Sequence, residues 1–153
     1  MALNVAVVGM GGIGNTHAQC YFDNPLSNLV AVCDLVKEKA DEAAEKFHCR
    51  AFYSEEEMLK AMPEIDVVSV TTSGYENGSM HFEPAMIALD YKKAVLCEKP
   101  ICADVREARE LVAYAAKNKL YLGCDLNHYF TQPAEDAKKR QLDGKVGELI
   151  YCI

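Results

Sequence analysis

The sequence has no basic excess. Its 153 residues carry 16 Lys and Arg against 23 Asp and Glu, a formal net charge of −7. Nucleic acid and anionic membrane surfaces are bound through clustered positive charge, so neither is expected as a partner. No apolar run approaches the roughly twenty residues that span a bilayer. The start, Met1-Ala2-Leu3-Asn4, has no basic region leading into an apolar stretch, so no secretory signal is expected. There is no Cys-x-x-Cys. The seven cysteines, at 20, 33, 49, 97, 102, 124 and 152, are odd in number and several sit inside apolar runs. That pattern suits buried free thiols in a reducing, cytoplasmic compartment rather than disulfides or zinc. The four histidines, at 17, 48, 81 and 128, are widely spread and form no metal-ligand spacing, so no metal is expected. Repeats, low-complexity tracts and linkers are absent. What remains is the composition of a globular domain, 50% hydrophobic and 25% charged, long enough to bury about two-thirds of its unfolded surface.

The informative stretch comes first. Val5-Ala6-Val7-Val8 is a short apolar run, as expected of a buried parallel strand, and it leads into Gly9-x-Gly11-x-x-Gly14. Each glycine has a separate task. Gly9 lets the chain turn sharply out of the strand. Gly11 has no Cβ, so a pyrophosphate can lie against its backbone. Gly14 lets the following helix pack close. Gly12 and Ile13 open that helix, whose free N–H groups and positive dipole end attract phosphate. Alone, the pattern also describes an ordinary strand-to-helix turn. A second apolar strand, residues 28–34, ends in Asp34, twenty positions after Gly14. There an acid either caps a helix or accepts hydrogen bonds from the adenosine ribose hydroxyls; the spacing favours the ribose. Leu35 and Val36 follow with no Arg for a 2′-phosphate, which favours NAD over NADP.

Strands are expected at 3–9, 29–34, 50–53, 66–72, 94–98 and 120–124, and again at 148–153. Helices are expected at 12–22, 36–47, 54–61, 81–91, 104–117 and 133–142. Alternation of this kind predicts an α/β fold, a Rossmann-type doubly wound parallel sheet of about six strands. Ligands of such sheets bind beyond the strand C-termini. That rim would gather the glycine turn, Asp34, Thr71, Thr72, Ser73, Glu98, Lys99 and the stretch after Cys124. Thr71, Thr72 and Ser73 are expected at ribose or diphosphate. His81 is either a cofactor contact or a packing histidine at a helix start. A proline follows Lys99, and most prolines are trans although cis bonds are largely theirs.

These motifs together resemble the N-terminal domain of the Gfo/Idh/MocA (glucose–fructose oxidoreductase / inositol dehydrogenase-like) oxidoreductases. The resemblance is carried by Gly9-x-Gly11-x-x-Gly14-x-x-His17, by Asp34, and by His81-x-x-x-Ala85 followed by Ala94-Val95-Leu96-Cys97-Glu98-Lys99-Pro100. Gly123-x-x-x-Asn127-His128-Tyr129 and Gly144-Lys145-Val146-Gly147-Glu148 complete it. It implies a dehydrogenase that transfers hydride between NAD and a sugar, polyol or related hydroxy or keto compound. It implies that Lys99 is catalytic, beside the nicotinamide at the reacting oxygen, with Glu98 orienting it and Asn127 among the cofactor contacts. From residue order alone, Glu98-Lys99 is an exposed pair at a strand end. The loop 73–80 is longer than the family's usual wording at that point. The resemblance further implies residues 1–125 as the nucleotide domain and 126–153 as a crossover helix and first strand toward a second, absent domain that would hold substrate. Without that domain, little turnover is expected. An exposed apolar strand at 149–153 would dock on the sheet or pair with a second copy. Other readings are NAD-assisted glycoside cleavage, biliverdin-type reduction, a non-catalytic nucleotide-binding module and an S-adenosylmethionine methyltransferase; Glu98-Lys99-Pro100 argues against the last.

Overall fold

In the computed structural model, residues 2–73, 80–148 and 150 are described. Six strands form: β1 (Leu3–Val8), β2 (Ser27–Cys33), β3 (Arg50–Phe52), β4 (Val67–Val70), β5 (Ala94–Glu98) and β6 (Leu122–Asp125). All neighbours pair in parallel, in the order β3-β2-β1-β4-β5-β6. The expected doubly wound sheet is therefore the observed one. The order reverses between β1 and β4, where such sheets open a crevice for ligand at the strand C-termini.

Helices α1 (Gly12–Asp23), α2 (Lys37–Phe47), α3 (Glu55–Ala61), α4 (Phe82–Asp90), α5 (Val105–Asn118) and α6 (Gln132–Leu142) connect or follow the strands. Val7, Met10 and Val32 pack with Ala18 of α1 and with Ala43 and Phe47 of α2. Ala6, Val8, Val68, Val70, Val95 and Cys97 pack on the opposite face with residues of α3, α4 and α5. Successive strand residues point to opposite faces, so a continuous valine run feeds both layers. Among the described residues all cysteines are free, and burial raises the Cys33 and Cys97 thiols to about 12. No described helix is long and apolar enough to cross a membrane.

Element ends differ from expectation by a residue or two. β4 stops at Val70, because the Thr71 amide and hydroxyl both turn back to the carbonyl of Val8. A 3-10 turn, Asn127–Phe130, interrupts the stretch before α6, and α6 buries none of its residues. Residues 74–79 of the long loop lie outside the described residues. So does most of the expected last strand; Glu148 and Ile150, which are described, are in no strand.

α1 lies unusually close to β1. The chain leaves β1 at Gly9 with φ +96°, a conformation that strains any side chain. A Cβ on Gly14 would stand 1.9 Å from the Gly9 carbonyl oxygen and 2.9 Å from Thr71 Oγ1. Gly14→Ala must push α1 off the sheet. The expected cost is about 3 kcal/mol or more, read as a lowered midpoint in urea unfolding.

Glu55 is buried at the start of α3, and its Oε1 has no hydrogen-bond partner. Burial first, then the carboxylates of Glu83 and Glu56, raise it to about 8. Across the window from the ordinary carboxylate range up to about 8, the folded chain holds a proton that the unfolded chain releases. Stability from this group is complete below the window and is lost as pH rises through it. Glu55→Gln should abolish this dependence. Its melting temperature should exceed that of the parent at pH 8.5 and match it near pH 4.5, in parallel thermal melts.

Candidate active site

The first turn of α1 stands at the rim with its amide groups unopposed. No side chain caps this helix, and no acidic residue occupies its first turn. A Cβ on Gly11 or Gly12 would meet nothing within 4 Å, so the space in front of this backbone is open. Ile13, half exposed, lies beside it. Asn15 closes the turn from behind, its Nδ2 donating to the carbonyls of Met10 and Gly11. Gly11 and Gly12 thus line one open corner at the positive end of the helix dipole, while Gly9 and Gly14 are buried behind it.

Asp34 follows β2 directly. Its Oδ2 accepts the Met10 amide at 2.7 Å and its Oδ1 accepts the Val36 amide at 2.8 Å. The acid is therefore tied to the glycine turn itself, twenty-four residues away. Each carboxylate oxygen has a second lone pair, so the side chain can still accept from hydroxyl groups at the rim. Leu35, 89% exposed, and Val36 stand beside it.

Thr71 and His81 are fasteners. Thr71 is buried, and its hydroxyl lies 2.7 Å from the Gly9 carbonyl and 3.0 Å from that of Val8. His81 is 1% exposed; its Nδ1 is 2.7 Å from the Pro100 carbonyl and its Nε2 is 2.7 Å from the Thr72 carbonyl. Of the two roles left open for His81, the packed one is what the geometry supports. The ring joins the end of β4 to the turn after β5, and both nitrogens are engaged by backbone carbonyls. Thr72 is half-buried with its hydroxyl on the Met80 carbonyl, and Ser73 is exposed. Asn127 is exposed on the 3-10 turn, with its Oδ1 accepting the His128 amide. Nothing in the geometry brings Asn127 to the glycine corner.

Glu98 ends β5, and Lys99 stands next to it, exposed, before a cis Lys99–Pro100 peptide. Glu98 is buried, and its Oε2 accepts the Lys99 amide at 2.9 Å. Its Oε1 is 3.2 Å from His17 Nε2. His17 Nε2 is also 3.3 Å from Asp125 Oδ2, at the end of β6, and Nδ1 is 2.9 Å from the buried Ser69 Oγ. Burial raises the Tyr21 hydroxyl, a hydrogen bond from Ser69 opposes this, and Asp125 adds to the rise. The sequence alone assigns no role to His17, Ser69 or Asp125. His17 does fall one helical turn after Gly14, and Asp125 sits at the end of β6 as Glu98 sits at the end of β5, and those were the available signals. The Nε2, Oε1 and Oδ2 atoms lie within 4.8 Å of one another. Widely spaced histidines hid this, since the fold alone brings His17 to two acids eighty and more residues away.

The rim thus pairs an uncapped helix start and the Asp34 carboxylate with the Lys99 ammonium at the end of β5, which has no ion-pair partner among the described residues. That combination suits a dinucleotide laid along the sheet edge with its reactive end beside Lys99. D-Glucoside 3-dehydrogenase of Escherichia coli K12 is 30% identical over 96% of this chain and 41% of its own length. UDP-N-acetylglucosamine 3-dehydrogenase of Acidithiobacillus ferrooxidans is 36% identical over 78% of this chain and 36% of its own length. Among solved structures, GenD2 from gentamicin A biosynthesis, in complex with NAD, superposes with a TM-score of 0.86. It is 27% identical, over 94% of this chain and 40% of that one. The chain therefore spans about two-fifths of the length of the relatives it matches. The sequence profile of the Gfo/Idh/MocA oxidoreductases, described as an oxidoreductase family with an NAD-binding Rossmann fold, matches residues 3–126, and the chain belongs to that family.

Proposed function

We propose that the chain binds NAD along the C-terminal edge of its sheet. It is the cofactor part of a dehydrogenase that moves a hydride between NAD and a carbon bearing a hydroxyl or carbonyl group in a sugar or polyol. The observation that carries this reading is the convergence of the uncapped α1 start, Asp34 and Lys99 on one rim. Dehydrogenase relatives acting on glucosides, a nucleotide sugar and inositol support the substrate class.

The residues fit the cofactor. The open space before Gly11 and Gly12 takes the diphosphate, held by the amides of Gly12, Ile13 and Gly14. Asp34 accepts the adenosine ribose hydroxyls on its remaining lone pairs. It disfavours a 2′-phosphate by charge, and no arginine follows it to compensate. Bound NAD supplies the hydride-accepting nicotinamide. Lys99 is the catalytic residue: its ammonium stabilises the alkoxide that develops on the substrate oxygen, and it helps relay the proton. Glu98 orients it through the amide contact. Thr72, Ser73 and Asn127 are available for secondary contacts to the cofactor, whereas Thr71 and His81 support the walls. Residues 1–125 form the nucleotide-binding unit. Residues 126–153 belong to the crossover toward a substrate-holding part, which the relatives' greater length would supply.

A thermal-shift series tests the reading. NAD⁺ at about a hundred times its dissociation constant stabilises by about 2.7 kcal/mol, a rise of roughly 5–10 °C. The rise should be larger for NAD⁺ or NADH than for NADP⁺ at equal concentration, and Asp34→Ala should remove it. Equal shifts for NAD⁺ and NADP⁺ would overturn the role of Asp34. No shift with any nicotinamide nucleotide would overturn the cofactor site.

A further inference from the structure

Glu98 and Asp125 are register partners at the ends of neighbouring parallel strands, so two carboxylates meet directly behind Lys99. Among the described residues no lysine or arginine reaches either one. Two carboxylates so placed repel each other. Among the described residues, the imidazole of His17 lies between them, with Nε2 3.2 Å from Glu98 Oε1 and 3.3 Å from Asp125 Oδ2. A carboxylate only accepts, so Nε2 carries the proton in this contact. The ring plane is set from the other side by Ser69 Oγ, 2.9 Å from Nδ1, and Tyr21 packs edge-on at 6.4 Å.

The consequence reaches Lys99 through its backbone. Glu98 uses its second oxygen to accept the Lys99 amide, which curls the acid back over the strand end and sets the direction in which Lys99 leaves the sheet. If Glu98 turned away from Asp125, that contact would break. We infer that His17 is a positioning residue for Lys99: its Nε2–H donates to Glu98 Oε1, the ring stands between Glu98 and the like-charged Asp125, and Glu98, so held, fixes the Lys99 amide. The chain of contacts also joins the helix whose first turn faces the diphosphate to the lysine at the other end of the rim, with α1 as the rigid link. The functional meaning rests on Lys99 being the residue at the substrate oxygen. The geometric claim does not, and it can be tested with neither cofactor nor substrate.

The test is amide hydrogen exchange and ¹⁵N–¹H spectra of the full chain. In His17→Leu the Lys99 amide should exchange about tenfold faster, while the Val7 amide in β1 keeps its protection. Adding Asp125→Asn removes the opposing charge and should return Lys99 to within about twofold of its original rate. A merely structural loosening would not be repaired by a second substitution on another strand. Unchanged Lys99 protection in His17→Leu, or no recovery in the double variant, overturns the inference. If His17→Leu does not fold, the unsubstituted chain decides. Its Lys99 amide shift should follow the ionisation of the His17 ring, which faces Glu98, Asp125, Ser69 and Tyr21, with a shared midpoint. A Lys99 shift that ignores the His17 titration overturns the inference. A chain that keeps this coupling but does not respond to NAD⁺ would sink the cofactor reading and leave the coupling standing.

Discussion

The close approach of α1 to β1 is the contact on which the rest of the rim depends. Gly14 has no side chain, and its α-carbon rests where even a methyl group would collide with the Gly9 carbonyl. Seating the helix that deep has two effects at once. Its first turn faces the open crevice with free amides, and three residues later His17 lies over the sheet, within reach of β4, β5 and β6. One backbone contact therefore places both the anion-binding end and the group that stands behind Lys99. Asp34 and Thr71 reinforce it from either side, each by hydrogen bonds to the glycine turn.

Much of this was legible in the sequence because the determinants are local. A valine run followed by glycines at fixed spacing states a strand, a turn and a helix within fourteen residues, and each glycine has a steric reason that the structure bears out at Gly9 and Gly14. The alternation of apolar runs with Ala/Glu/Lys-rich stretches gave the sheet, and the rule that ligands bind beyond strand C-termini gathered Asp34, Glu98 and Lys99 on one edge. Where the sequence reading fell short, the cause was long-range. His17 meets Glu98 and Asp125 only because β5 lies beside β4 and β6 beside β5 in the sheet, and no spacing in the chain encodes that meeting. His81 was ambiguous for the same reason. A histidine at a helix start can face a ligand or fasten two loops, and its two carbonyl partners are separated from it by nine and nineteen residues.

The charge distribution follows a single plan. In an overall acidic chain, one crevice has an uncapped helix start at one end and Lys99 at the other. Buried acids are handled differently according to their place. Glu98 is held by His17 and by a backbone amide, whereas Glu55, at the start of α3, has an oxygen with no partner among the described residues and is kept neutral by burial. The first arrangement keeps a carboxylate in a set position beside the site. The second costs stability as pH rises.

The most direct test of the account is where each end of the cofactor lies. Intermolecular nuclear Overhauser effects between NAD⁺ and the isotopically labelled chain would report it. The account predicts contacts from the nicotinamide ring protons to the Lys99 side chain, and from the adenosine ribose protons to Leu35, next to Asp34. The reverse orientation, with adenosine at Lys99, or a bound cofactor that touches neither residue, would contradict it.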